Sequence, residues 1–251
     1  MSHKLSRSGP TLSMALAIAP ASATAGQDSL TVLAKWLPLV LQGFAVDVGI
    51  SFAAMAIGTV LGTLLGMMQV GRSASLRRTA SYLTQFFRNS PWLVILFFCV
   101  LLLPYQIELF GVSVPFPSWA KGVVGLALPV MGNVSEVVRG GIQSIPSGQW
   151  EAADALALNR RQMLTIVILP QAIKRMLPPW MNTYAVLMMA TPLVSIVGVE
   201  DSVTVARSML SAEGDPALLM PVYGSLLLLF FLYCAPIAWV TRRLEAKYAV
   251  R

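Results

Sequence analysis

The sequence predicts an all-α integral membrane protein with about five spanning helices in one domain, and three observations carry that prediction. The 251 residues are 56% hydrophobic and only 12% charged, where a soluble domain carries about a quarter charged residues. Charge-free runs of 21 residues (48–68) and 24 residues (176–199) match the roughly 20 residues that cross a bilayer as a helix. Basic residues gather between the apolar runs: Arg72, Arg77 and Arg78 follow the first, and Arg242 and Arg243 follow the last. With no internal repeat, residues 26–251 read as a single transmembrane unit.

Taken in order, residues 1–25 place Lys4 and Arg7 before a modest apolar run at 12–19 and then Ala23, Thr24 and Ala25. This is the layout of a secretory signal with a small-residue cleavage site; a disordered tail and an uncleaved anchor remain equal readings. The first span is expected at 48–68, just after Asp47. Gly58, Gly62 and Gly66 fall every fourth residue on it, a spacing that aligns them on one face where a neighbouring backbone can come close. A second span is expected at 91–107, behind Arg88, Asn89, Ser90 and Pro91. Gly111, Pro115 and Pro117 mark an external loop or short re-entrant piece before a third span at 122–138.

Only 14 residues separate Lys121 from Glu136, which puts Glu136 in or at the lip of the bilayer. A charge there needs a cavity or a partner. Arg139, three residues on, shares its helical face and offers the plainer explanation of an ion pair. The fourth span, 176–199, contains Pro178, Pro179 and Pro192. Proline removes a backbone donor, and such breaks are tolerated where backbone faces protein or a water path; Thr191 and Ser195 are therefore candidate pathway residues beside a simple kink. The fifth span is expected at 216–241.

Between the third and fourth spans lies a loop, 140–175, whose stretch 149–172 is helix-forming but too polar for the bilayer. Trp150, Ala153, Leu156 and Ala157 recur at helical spacing, opposite Glu151, Asp154, Asn159, Arg160, Arg161 and Gln162, so an amphipathic helix is expected. Pro170 should stop or kink it at Leu169. Counting Lys and Arg on short loops orients the chain. With the N-terminus outside, thirteen (Arg72, Arg77, Arg78, Arg88, Arg139, Arg160, Arg161, Lys174, Arg175, Arg242, Arg243, Lys247, Arg251) face the cytoplasm and three (Lys35, Lys121, Arg207) face out. The net charge of +7 then reflects topology and lipid headgroups, not nucleic acid.

Catalysis has little material. The one histidine is His3, which removes His-based triads, HExxH zinc sites and His relays. Cys99 and Cys234 lie in apolar spans and read as packing residues. No G-x-x-x-x-G-K-[ST] occurs, so any ATP that drives this chain is bound by a partner.

The loop resembles the EAA loop of ABC importer permeases: Glu151-Ala152-Ala153, Ala157 where that pattern has Gly, then Val167-Ile168-Leu169-Pro170 in register. Alanine keeps the small size but loses the freedom for positive φ, which argues against a tight turn at 157. The resemblance extends over about residues 43–208 to the polar amino acid (histidine/glutamine permease) branch. Arg88-Asn89-Ser90-Pro91 looks like its R-N-[TS]-P, and Ser135-Glu136 with Arg139-Gly140-Gly141-Ile142 looks like its A-E-x-x-R-G-G-I. Two departures, Met189-Ala190-Thr191-Pro192-Leu193 for K-x-T-S-L and Asn133 for an aromatic, fall where the pathway should run.

This resemblance implies the transmembrane domain of a type I ABC importer with a cytoplasmic coupling helix, in a bacterial inner membrane. It implies an ATPase dimer that binds ATP and Mg, a second permease subunit, an external solute-binding protein and an amino-acid-like solute. Glu151, Ala152, Ala153, Leu156, Ala157, Arg160 and Arg161 would couple to the ATPase; Arg88, Asn89, Glu136, Thr191 and Ser195 would line the pathway. The chain itself would hold no cofactor or metal and catalyse nothing. An ion-coupled secondary carrier, which also needs broken helices and an intramembrane carboxylate, and a non-transporting scaffold for an ATPase are the alternatives. The small span count, the missing repeat and the EAA-like segment stand against the carrier.

Overall fold

The computed structural model describes residues 21–109 and 112–248. Most of the expected signal segment, residues 1–20, lies outside them, and 21–25 form the start of the first helix. The order is α1 (Ala21–Val70), α2 (Ala74–Asn89), α3 (Trp92–Leu102), β1 (Gln106–Leu109), β2 (Val112–Pro115), α4 (Ser118–Gln143), α5 (Ser147–Ala155), α6 (Arg160–Gln162), α7 (Leu169–Ala190), α8 (Ser202–Glu213) and α9 (Leu219–Tyr248). Among the described residues four helical stretches are long and apolar enough to cross a membrane, or five if α2 and α3, bent by 103°, form one broken span.

The α4 helix is the centre, packed against α1, α2, α3 and α7. Its contact with α1 is explained by the three spaced glycines. A Cβ at Gly62 would stand 2.7 Å from the Met131 carbonyl oxygen and 2.7 Å from Val134 Cβ, and one at Gly66 would stand 2.8 Å from the Ser135 carbonyl oxygen. The core behind this seam is aliphatic: Ile50, Ala54, Leu126, Val130, Val134, Ile142, Ile168 and Leu187 are buried. Phe52, Leu64, Leu101, Leu227 and Phe231 point outward, as a bilayer-facing surface requires.

Polar groups stitch the helices. Asp47 is fully buried and accepts hydrogen bonds from Ser202 N (3.2 Å) and Oγ (2.5 Å) at the start of α8. A carboxylate at a helix N-terminus meets unpaired N–H donors. Gln69 of α1 donates to Thr84 of α2 (3.0 Å) and Ser135 of α4 (2.8 Å), all three buried. Lys121 is 1% exposed, donates to the Leu103 carbonyl (2.9 Å) at the end of α3 and lies 3.6 Å from the Tyr105 ring centroid.

These buried charges explain the boundary corrections. The first helix begins far before 48 and ends at Val70, close to the expected end, and α4 begins at Ser118 rather than 122, because Asp47 and Lys121 have partners inside and do not end helices. The span expected over 91–107 stops at Leu102: Pro104 pushes Leu103 to φ −77°, ψ 133° by the usual clash with the preceding residue. A hairpin follows, with Gln106 opposite Pro115 and Leu109 opposite Val112. The helical stretch that contains the fourth expected span runs from Arg160 to Val197, with α7 from Leu169 and a final 3-10 segment, Thr191–Val197, closed by Gly198 at φ 83°. Outside the spans, burial pushes the Asp201 carboxyl up from its ordinary value, against hydrogen bonds from Thr204 that pull it down. Hydrogen bonds from Trp36 and Lys35 hold Glu213 below its ordinary value.

Candidate functional site

The loop between α4 and α7 is built from three pieces rather than one amphipathic helix, which corrects the expectation for 149–172. The first piece, α5, ends in a two-bond C-cap: Ala157 N–H donates to the Asp154 carbonyl (2.8 Å) and Leu158 N–H to the Ala153 carbonyl (3.2 Å). This is the Schellman pattern, which calls for a left-handed residue one past the cap. Ala157 takes it, at φ 55°. The tight turn is therefore kept although glycine is absent.

After the turn Asn159 and Gln162 exchange side chain to backbone hydrogen bonds, 3.0 Å and 2.9 Å, a capping box that starts α6. A π-helical turn, Met163–Ile168, then leads into α7 with Pro170 in its first turn. Pro170 does not stop the helix, because the wider turn before it absorbs the lost donor. The Arg160 guanidinium lies 4.8 Å from the Trp150 ring centroid and Gln149 accepts from Gln171 (3.0 Å), which ties α5 back to α7. Arg175 donates to the Ser144 carbonyl across the loop's base.

Of the residues expected to meet a partner, Glu151, Ala152, Ala157 and Arg161 are exposed, Leu156 is 73% exposed and Arg160 is half-buried against Trp150. Ala153 is 2% exposed and faces the chain's own interior; its small size lets α5 sit close, and it offers no surface to another subunit. Arg72, from the turn after α1, joins Glu151, Asp154 and Arg160 around one groove of about 510 Å³. Sequence reasoning missed that placement, since Arg72 is 79 residues from Glu151.

At the same end of the bundle a cavity of about 690 Å³ opens between α2, α4, α7 and α9. Glu136 and Arg88 line it, with Asn133, Arg175, Asn182 and Thr183. Glu136 is held by Arg139, whose Nη2 donates at 2.6 Å and Nε at 3.1 Å, while Arg88 stands 3.9 Å away. The ion pair and the cavity lining are both present, so the two readings of Glu136 coincide. Asn89, Thr191 and Ser195 are not among the lining residues. Asn89 bonds Gln85 on its own helix (3.1 Å), Thr191 Oγ1 donates to the Met188 carbonyl (2.8 Å) and Ser195 Oγ to the Pro192 carbonyl (2.7 Å). Asn182 and Thr183 were legible only as part of the proline-bearing stretch, and Arg175 only as a positive charge.

Residues 58–249 match the family of binding-protein-dependent transport system inner membrane components. The chain is similar to a probable amino-acid ABC transporter permease protein, YckA, of Bacillus subtilis (strain 168), 32% identical over 212 residues and covering 84% of this chain and 90% of that one. It is also similar to a putative glutamine transport system permease protein, GlnP, of Rickettsia typhi (strain ATCC VR-144 / Wilmington), 35% identical over 175 residues, 68% of this chain and 78% of that one. Among solved structures it superposes on an amino acid ABC transporter crystallised with histidines at a TM-score of 0.71 and 26% identity, covering 84% of this chain and 96% of that one. An inward-facing MetNI methionine ABC transporter superposes at 0.67 and 20% identity, over 85% of this chain and 98% of that one, a likeness of fold alone. A match over most of the chain, with relatives above 30% identity and the helical plan just described, places this protein in the family of binding-protein-dependent transport system inner membrane components.

Proposed function

We propose that this permease carries an amino acid or amino-acid-like solute through the cavity between α2, α4, α7 and α9, driven by an ATPase seated on α5. The family is the non-catalytic membrane component of its transporters, without a cofactor of its own, and ATP is bound by the ATPase partners. The single observation that carries the reading is the shared placement of the two features: an exposed, partly charged loop and a polar cavity at one end of the bundle, joined by α4 and α7. Rigid helices that connect a driven surface to a cavity convert a push at one into a change of access at the other.

In this reading Glu151 and Arg161 are polar anchors for the ATPase, and Leu156 is the apolar contact. Arg88, Arg175, Asn182 and Thr183 offer donors and acceptors to a zwitterion. Glu136 of α4 and Glu245 of α9 bring negative charge to the lining against Arg88 and Arg175, and Arg139 pairs with Glu136. The loop end faces the cytoplasm and the N-terminus lies outside, which the thirteen-to-three distribution of basic residues supports. A second permease subunit, the same or homologous, completes the path, and an external binding protein delivers the solute.

The test is co-purification of the solubilised chain with its ATPase, wild type against Glu151→Lys combined with Arg161→Glu. The expected result is an ATPase-bearing complex from the wild type and its loss from the charge-reversed variant, with the permease still folded. An unchanged complex from the variant contradicts the anchoring role. Uptake that continues after ATP is depleted, with an ion gradient intact, would turn the reading toward a carrier.

A further inference from the structure

A second cleft lies on the other side of the Glu136–Arg139 pair, between α2 and α4, with a volume of about 380 Å³. On α2 it is lined by Arg77, Arg78, Ser81 and Gln85, which fall at 0, 1, 4 and 8 along the chain and so share one face. On α4 it is closed by Arg139 and Gln143, which bond each other at 2.7 Å. Glu136 supplies the one negative charge of the lining, and Arg139 matches it at 2.6 Å. Arg77 and Arg78 form no ion pair among the described residues, so the cleft keeps an excess of two positive charges.

The opposite flank of α2 is apolar and uncovered: Leu76 is 53% exposed, Tyr82 77%, Leu83 42% and Phe86 63%. Helices with one basic edge and one apolar face lie in the membrane interface, charge toward the headgroups and side chains into the acyl boundary. The 103° bend at Ser90–Pro91 turns α2 far from the direction of α3, as such a position requires.

We propose that the α2–α4 cleft binds the phosphate of an anionic phospholipid headgroup from the cytoplasmic leaflet, with Arg77 and Arg78 as the charge partners and Ser81 and Gln85 as neutral donors. The acyl chains run beside Leu83 and Phe86. A free phosphate would satisfy the arginines alone; a phospholipid satisfies both the charge and the uncovered apolar flank. The leaflet rests on the orientation given above, whereas the chemistry of the cleft does not.

Native mass spectrometry of the full chain after delipidation tests this, with phosphatidylglycerol, phosphatidylcholine and inorganic phosphate added back. The expected result is at least tenfold preference for phosphatidylglycerol over phosphatidylcholine, lost in Arg77→Gln/Arg78→Gln and kept in the control Arg242→Gln/Arg243→Gln. Equal retention of the two lipids, equal loss in both double variants, or displacement by inorganic phosphate at lipid-like concentrations overturns the proposal. Recovery of a second protein chain in place of lipid on this face does so as well. Sidedness is read separately, by labelling Ser75→Cys in a cysteine-free background with an impermeant maleimide. Labelling from the external side alone, with lipid selectivity intact, overturns the leaflet and leaves the cleft.

Discussion

Ala157 is where a single residue holds the end of α5 in shape. A left-handed alanine costs about 1–2 kcal/mol, and the flanking features are of the same size: a capping residue is worth about 1 kcal/mol and an exposed cation–π contact about 0.5–1 kcal/mol. The Asn159–Gln162 box and the Arg160–Trp150 contact therefore suffice to keep the turn. It follows that Ala157→Gly raises stability by up to about 1 kcal/mol, read as a higher thermal midpoint in detergent, while Ala157→Val lowers it. Lys121 makes the opposite point. Removing its ammonium leaves the Leu103 carbonyl without a partner inside the protein, so Lys121→Met should cost about 1–3 kcal/mol despite filling similar space. Both residues show the limit of reading charge or size alone. The sequence marks Lys121 as a boundary and Ala157 as a poor turn residue; which carbonyls they serve is a matter of contacts between α3, α4 and α5.

Among the elements, the α1–α4 seam was the most legible. A four-residue glycine repeat is open to two readings, the general enrichment of glycine in membrane helices and a close helix crossing, and the backbone oxygens of Met131 and Ser135 beside Gly62 and Gly66 decide for the crossing. Gly62→Leu should thus reduce folded yield severely, because a carbonyl cannot retreat as a side-chain tip can. Gly49→Ala, with nothing within 4 Å of its added Cβ, should be neutral or slightly stabilising, and parallel fluorescence size-exclusion profiles compare the two. The dock of α8 on α1 carries a pH signature. Glu213 is held below its ordinary value of 4.5 by Trp36 and Lys35, so its contribution is present above about 4.5 and fades as pH falls through the lower folded value. The thermal midpoints of wild type and Glu213→Gln should converge in acid and separate at neutral pH. By contrast the loop's division into α5, α6 and a π-helical turn left little trace in hydrophobic periodicity, since three short helical pieces keep nearly the same spacing as one long one.

For the whole molecule, the multi-pass helical plan came from long apolar runs, a statistic that single contacts do not disturb, while the proposed orientation rests on the one-sided basic loops. The cavity did not. Glu136 and Arg88 were visible as charges close to apolar runs, but a proline break in sequence does not say whether the hydroxyls beside it face a path or their own helix, and those of Thr191 and Ser195 donate to carbonyls of their own helical segment. The central claim is that the loop at α5 governs access to the cavity on its own side. The most direct test places one cysteine at Asn182, which is exposed in the cavity lining, in a Cys99→Ala/Cys234→Ala background, within the reconstituted importer. An impermeant maleimide applied from the ATPase side should label it without nucleotide, and labelling should fall at least tenfold when ATP is trapped. Labelling from the opposite side alone, or at the same rate in both states, would contradict the account.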